Sequence, residues 1–184
     1  MNNLIFLDRD GIINEEPSNF GFDYIIDAKF FKFYPRVFSA LELLVESNYD
    51  IYIISNQAGV GKGVFSQSSL DEITEYMLGE FSKRNINIKG VRYCTHASDA
   101  GCDCRKPKTK LFEDVYADYS GMNKKTLFFI TDQQRDIEAA LNFKMKSILV
   151  LSGKSKIEDV SSFKSKPDYV AVDLYDAVKN VVLR

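Results

Sequence analysis

The sequence predicts an α/β fold, a doubly wound parallel sheet in one domain spanning residues 1–184. Three observations predict it. Short unbroken apolar runs alternate with segments of helical periodicity, the pattern of strands buried on both faces and joined by right-handed helical crossovers. A chain of 184 residues, 45% hydrophobic and 27% charged, is long enough to bury a sizeable core and short enough for one domain. Polar residues stand directly after the apolar runs: Asp8 and Asp10 after the first, Ser55 and Asn56 after the second, Asp132 after the third. In an open parallel sheet, ligands bind at that edge.

The elements follow in order. Leu4-Ile5-Phe6-Leu7 is a strand without a polar face. Val37, Leu41, Leu44 and Val45 recur at helical spacing behind Pro35, which suits an early helix position. Ile51-Tyr52-Ile53-Ile54 is the second buried strand. Ser68 or Ser69 can cap a helix carrying Leu70, Ile73, Met77 and Phe81. Val91-Arg92-Tyr93 reads as a short strand, and residues 109–119 as helical. Thr126-Leu127-Phe128-Phe129-Ile130 is the third strong strand, and Ile137, Ala140 and Leu141 share one face of the helix after it. Ser147–Leu151 and Tyr169–Val172 are further strands, with a closing helix over 173–182. The aromatic segment Phe20, Phe22, Tyr24, Phe30 and Phe31 is read as packing onto the sheet edge.

Charge and composition narrow the function. Lys+Arg is 24 and Asp+Glu is 26, a net charge of −2, so no basic field invites nucleic acid. No apolar run reaches the roughly 20 residues that span a bilayer. Met1-Asn2-Asn3-Leu4 lacks the basic start and long apolar stretch of a signal peptide. A cytoplasmic monomer without membrane partners is the expectation. The three cysteines all fall between Cys94 and Cys104 with the single histidine, His96, among them. An odd number in that setting favours a metal over disulfides.

Four motifs carry chemistry. In Asp8-Arg9-Asp10-Gly11, a strand delivers two carboxylates two positions apart. They repel, so one binds a cation or takes a proton. One can attack phosphorus while the other handles the leaving-group proton. In Ser55-Asn56-Gln57-Ala58-Gly59-Val60-Gly61-Lys62-Gly63 the glycines allow close backbone approach and Ser55 offers a hydroxyl to a phosphate oxygen; the spacing is not that of a Walker A loop. Cys94, His96, Cys102 and Cys104 place four ligands within a polar stretch, a set that suits closed, structural, tetrahedral Zn²⁺. In Thr131-Asp132-Gln133-Gln134-Arg135-Asp136, the first acid stands at a strand end, where it can complete a Mg²⁺ site with Asp8. Asp136, one helical turn on, is read as orienting other groups rather than as a ligand.

These motifs, with Cys102-Asp103-Cys104-Arg105-Lys106-Pro107 beside the metal loop, arrive in order over about residues 3–151. Together they resemble the haloacid dehalogenase superfamily of phosphohydrolases, in its zinc-loop branch. The resemblance implies a Rossmann-like core, Asp8 as the nucleophile that forms an aspartyl-phosphate, and Asp10 as general acid/base. It implies Mg²⁺ held by Asp8, the Asp10 carbonyl and Asp132, with structural Zn²⁺ on the Cys/His loop (residues 94–104). It implies that Ser55 and Asn56 bind the transferred phosphate, that Lys62 and Arg105 face the substrate, and that Lys106 neutralises nucleophile and phosphate. Two positions depart from the family pattern, Thr131 for a glycine and Gln133 for a lysine; the first crowds the backbone and the second removes a charge. The gaps between motifs are too short for a separate cap domain, so the expected molecule is capless, with residues 15–34 and the metal loop shaping specificity.

The branch holds heptose-1,7-bisphosphate 7-phosphatases and histidinol-phosphate phosphatases. The glycine loop followed by Val64-Phe65 looks more like the former, whereas Glu16-Pro17-Ser18-Asn19-Phe20 and Lys108-Thr109-Lys110-Leu111 look more like the latter. The expected activity is removal of the 7-phosphate from a heptose bisphosphate, a step in making lipopolysaccharide precursors. A histidinol-phosphate phosphatase, a weakly catalytic phosphosugar-binding module and a polynucleotide 3′-phosphatase are the alternatives.

Overall fold

The computed structural model describes residues 2–184. Six parallel strands form one sheet, β1 (Asn3–Leu7), β2 (Tyr49–Asn56), β3 (Ile88–Cys94), β4 (Phe128–Thr131), β5 (Lys146–Val150) and β6 (Tyr169–Ala171), in the spatial order β3-β2-β1-β4-β5-β6. The chain winds outward from β1 to β3, then restarts beside β1 with β4 and winds the other way. Leu7 pairs with Ile53 on one side and Ile130 on the other. The carboxyl ends of β1 and β4 therefore form the switch point, where loops diverge and leave a crevice.

Period-two alternation in β1 builds both cores. Ile5 and Leu7 join one cluster with Leu41, Leu44, Ile73, Met77 and Phe81, from α1 (Val37–Glu46) and α3 (Gln67–Ser82). Leu4 and Phe6 join the other with Phe112 of α4 (Lys110–Tyr116) and Phe143 of α5 (Gln134–Phe143). Each such fully buried side chain contributes about 1.5–3 kcal/mol, which is why the unbroken apolar runs were legible as strands covered on both faces. A short helix α2 (Ala58–Gly61) follows β2, and α6 (Leu174–Ala177) runs into a wider turn over Val178–Val182. Among the described residues, no helix is long and apolar enough to cross a membrane.

Several local expectations change. The cap of α3 is Ser66, whose hydroxyl accepts from the Ser69 amide at 3.0 Å, rather than Ser68 or Ser69. Pro35 lies ahead of α1, separated from it by Arg36 at φ 64°. β4 starts two residues later than the apolar run, because Lys124–Thr126 forms a 3₁₀ turn in which Asn123 accepts from the Lys125 amide. Ile137 and Ala140 are buried, but Leu141 is 64% exposed, one residue past the covered stripe. Val172 lies beyond β6 and is exposed.

Candidate active site

The β1 strand ends at Leu7 and delivers Asp8 into the crevice, with the Asp8 amide donating to the Ile130 carbonyl at 3.0 Å. One Asp8 carboxylate oxygen accepts from the Arg9 amide at 2.8 Å, and the other lies 3.0 Å from the Lys106 ammonium. Lys106 is 1% exposed; beside this ion pair with Asp8 it donates to Asp136 Oδ2 at 2.8 Å and to the Ile54 carbonyl at 2.9 Å. The Phe129 ring centroid lies 4.9 Å from the same ammonium. Lys106 thus sits between Asp8 and Asp136, a fixed positive charge shared by two buried acids.

Asp136, fully buried, also accepts from the Thr131 hydroxyl at 3.1 Å. The Thr131 hydroxyl is part of the network, and it accepts from the Gln133 amide at 3.4 Å. Burial works against the Asp136 charge, but Lys106 outweighs it and holds this carboxyl below its usual range. Asp8 behaves oppositely. Burial pushes its carboxyl well above the ordinary value, Lys106 pulls against that, and Asp136 and Asp132 add repulsion.

Asp132, just past β4, is also fully buried. Burial first, and then Glu16, raise its carboxyl well above the ordinary value. Its Oδ2 accepts from the Lys154 amide at 2.8 Å, while its Oδ1 and the Glu16 Oε1 are buried without any donor. Gly11 and Gly153 make room for it. A Cβ at Gly11 would stand 2.4 Å from Asp132 Oδ2, and one at Gly153 would stand 2.3 Å away. Gly11 also has φ +82°, so position 11 needs glycine twice over.

Asp8, Asp132 and Asp136 set three buried carboxylates against the one buried ammonium of Lys106, an excess of two negative charges. Orphaned carboxylate oxygens with that charge excess are the donor set of a hard divalent cation. Asp8, Asp132 and Glu16 are the neighbouring acids that would hold Mg²⁺. Sequence reasoning missed Glu16 as part of this set; it lies in the loop after Asn14, and only folding carries it to Asp132.

Asp10 takes a different environment. Its carboxylate accepts from Arg9 (Nε 3.1 Å, Nη2 2.9 Å), from Asn14 Nδ2 at 2.9 Å and from Gln57 Nε2 at 2.9 Å. Arg9 is itself fully buried, its guanidinium 6.0 Å and 5.7 Å from the Phe31 and Tyr93 ring centroids. Burial opposes the Arg9 charge, but Asp10 more than offsets this and raises its pKa.

Ser55 lies at the end of β2, 3% exposed, and accepts from Gln57 Nε2 at 3.1 Å. Asn56 is held through its side chain. Its amide donates to the Lys106 carbonyl and its oxygen accepts from the Lys106 amide, each at 3.1 Å. That side chain clamps the Lys106 loop to β2, while Asn56 also lines the cleft described below. The glycine loop is put to another use. Its amides at Gln57, Gly61, Gly63 and Val64 are already bonded within the protein, and a Cβ at Gly61 would stand 2.3 Å from the Ala97 amide nitrogen. The close approach that glycine permits there is that of the metal loop.

A cleft of about 300 Å³ opens over these groups, lined among others by Asp10, Glu16, Tyr24, Lys62, Arg105 and Arg135. Lys62 donates to the Tyr24 hydroxyl at 3.2 Å. Tyr24 is therefore the member of the aromatic segment that reaches the cleft. Phe22 packs on Phe30 and Phe31 on Phe33, with centroids 4.9 Å and 5.0 Å apart.

At the end of β3, the sulfur of Cys94 lies 3.6 Å from that of Cys102, and Cys102 lies 3.7 Å from Cys104. His96 Nδ1 lies 3.2 Å from the Cys104 sulfur, and all four ligand atoms fall within 4.8 Å of one another. A tetrahedron with Zn–S of about 2.3 Å has an edge of about 3.8 Å, so the four fit Zn²⁺ with no position open. Burial and the neighbouring thiols push Cys104 up to about 12, so loading a metal there releases protons. Because Gly61 donates to Thr95 at 2.8 Å and Gln57 to Cys94 at 2.8 Å, the metal loop supports the glycine loop. Stripping the metal with a strong chelator is expected to release about one zinc per chain, by colorimetric assay, and to abolish activity in parallel. Full activity in zinc-free protein would refute this support.

Known proteins share these features. A family model described as HAD-hydrolase-like matches residues 103–177. The D-glycero-alpha-D-manno-heptose-1,7-bisphosphate 7-phosphatase of Campylobacter jejuni is 30% identical over 84% of this chain and 86% of its own. A D-glycero-beta-D-manno-heptose-1,7-bisphosphate 7-phosphatase of Pasteurella multocida is 31% identical over 97% of this chain and 96% of its own. The crystal structure of D,D-heptose 1,7-bisphosphate phosphatase from B. bronchiseptica, complexed with magnesium and phosphate, superposes with a TM-score of 0.88 at 23% identity, covering 98% of each chain. Identity over nearly the whole length of such relatives, together with the paired acids, the buried lysine and the Cys/His loop, places this chain in the haloacid-dehalogenase-like phosphatases.

Proposed function

We propose that this phosphatase hydrolyses a sugar phosphate through an aspartyl-phosphate on Asp8, and that its substrate is D-glycero-D-manno-heptose 1,7-bisphosphate, cleaved at the 7-phosphate. The observation that carries the reading is the Asp8 carboxylate at the switch point, bound to buried Lys106 and neighbouring the orphaned oxygens of Asp132 and Glu16. Mg²⁺, when bound there, offsets the repulsion between carboxylates and a phosphate dianion. Asp8 attacks phosphorus in line with the departing sugar oxygen, which takes a proton from Asp10. Water then attacks the acyl-phosphate, giving its proton to Asp10, and inorganic phosphate leaves with Asp8 regenerated. Phosphoryl transfer needs positioning and charge stabilisation more than covalent help, and Lys106 supplies fixed positive charge without reorganising.

The cleft supports a substrate with a second anion. Lys62, Arg105, Arg135 and Lys154 all line it. Arg135 donates to Gln133 at 3.2 Å and keeps a buried Nε with no hydrogen-bond partner, 3.6 Å from Asp136. Arg105 likewise has a buried, unpartnered Nη1. Glu16 and Asp23 face them, but Glu16 belongs to the cation site. Guanidinium groups that each keep an unpartnered N–H favour a distal phosphate over the ammonium of histidinol phosphate.

The test is phosphate release, with and without Mg²⁺, from the heptose bisphosphate, histidinol phosphate and a 3′-phosphorylated oligonucleotide. The bisphosphate is expected to be turned over fastest, and only with metal. Arg135→Gln should raise KM for the bisphosphate about tenfold, the worth of one charge-assisted hydrogen bond, and leave KM for a simple monophosphate nearly unchanged. Release from none of the three defeats the enzymatic reading, and preference for histidinol phosphate defeats the substrate assignment.

A further inference from the structure

We infer that Gln57 is a positioning residue that aligns the acid/base Asp10 and the phosphate-binding hydroxyl of Ser55 through one amide nitrogen; the inference rests on the roles proposed above for those two residues. Gln57 joins β2 to α2, is fully buried, and is fixed by its own amide donating to the Cys94 carbonyl at 2.8 Å. Its side-chain nitrogen donates to Asp10 Oδ2 at 2.9 Å and to Ser55 Oγ at 3.1 Å. A carboxylate only accepts, so the nitrogen and not the oxygen must face Asp10. Its two hydrogens are then spent, one on each partner.

Two consequences follow from that polarity. Ser55 receives a proton from Gln57, so its own O–H is left to donate. Among the described residues, that hydroxyl makes no other hydrogen bond, which leaves its proton for a phosphate oxygen. The second concerns Asp10, held between Arg9, Asn14 and Gln57. Gln57 is the donor that ties Asp10 to the phosphate-binding end of β2, and so sets the carboxyl against the leaving oxygen.

The orphaned oxygen of the same side chain argues against a purely structural role. Gln57 Oε1 is buried with no donor, a desolvation cost that an apolar side chain of similar volume would avoid. What the amide nitrogen holds is the compensating gain.

The reaction offers a readout that packing alone does not move. When the bond from phosphorus to the leaving oxygen breaks as the Asp8–phosphorus bond forms, a sugar alkoxide needs the Asp10 proton, whereas p-nitrophenolate departs as a stable anion. Misaligning Asp10 therefore slows sugar-phosphate cleavage more than p-nitrophenyl phosphate cleavage. The experiment measures leaving-group release in a single turnover, with metal-loaded full-length enzyme in excess, for the heptose bisphosphate and for p-nitrophenyl phosphate. Gln57→Leu is expected to slow the sugar reaction about 30-fold and the aryl reaction by about 3-fold at most, part of the 10²–10⁴ that a general acid contributes. Gln57→Glu keeps the shape but replaces the donor with an acceptor, and should give the same split; it serves as the test if the leucine variant does not fold. Asp10→Asn fixes the reference. If Asp10→Asn shows the split and both Gln57 variants slow the two substrates equally, or neither, the inference about Gln57 is overturned. If Asp10→Asn shows no split, the acid/base assignment beneath it fails instead.

Discussion

Asp8→Asn is expected to abolish turnover, with phosphate release falling by at least about 10⁴-fold, because an amide oxygen is too weak a nucleophile to take a phosphoryl group. The fold is expected to survive. Asp8 is buried, and burial with two neighbouring carboxylates raises its carboxyl well above the ordinary range. A raised folded-state pKa adds stability that is complete below the unfolded value near pH 4 and is lost as pH rises through the folded value. Asp132 is shifted the same way and Asp136 the opposite way. In metal-free protein, Asp8 and Asp132 therefore cost stability on going from mild acid to neutral pH, and Mg²⁺ at neutral pH restores it by binding the folded state. The asparagine variant should show a smaller pH dependence in thermal melts without metal, and a smaller gain when Mg²⁺ is added. Substantial metal-dependent phosphate release by this variant would remove Asp8 from the nucleophile's role.

Lys106→Met carries the second large effect, and it strikes stability as well as rate. Methionine keeps most of the volume but removes the ammonium that pairs with Asp8 and donates to Asp136 and the Ile54 carbonyl. Breaking a buried ion pair from one side leaves uncompensated charge, at a cost of about 3–5 kcal/mol. Here two carboxylates lose their partner together. Urea unfolding of metal-free protein at neutral pH should show that loss, and it should shrink toward pH 4, where the freed carboxyls take up protons. Turnover should drop at least about 10²-fold even with metal present, since the fixed charge beside the nucleophile is gone. A variant as stable as the parent at neutral pH would mean the lysine is not what compensates these acids.

The motif positions were legible because they are local. Asp8 after an apolar run, Asp132 after another, and a cysteine loop rich in polar residues each announce themselves within a short window. The Cys/His set could be assigned to a tetrahedral metal from ligand type alone, and its atoms converge within 4.8 Å. The internal partners of Asn56 and of the glycine loop were not legible, for one reason. Both have the residue types of a phosphate cradle, but their hydrogen bonds are taken by partners distant in sequence, Lys106 for Asn56 and Thr95 for Gly61. No spacing rule signals which donor a buried amide will meet. The use of Thr131 was hidden likewise: its hydroxyl donates to Asp136, a bond that its departure from the family pattern does not announce.

The order of apolar runs and turns by itself determined the class of fold, since alternating both faces of a strand between two cores demands a covered parallel sheet, and it placed the acids at the strand ends. Only the tertiary structure decided how those acids divide the labour. Glu16 joins Asp132, Arg9 and Gln57 claim Asp10, and Lys106 is shared between Asp8 and Asp136. The reason is electrostatic. A carboxylate's chemistry depends on which charges and donors lie within a few ångströms of it after water has been excluded, and that neighbourhood is assembled from loops the chain brings together only on folding.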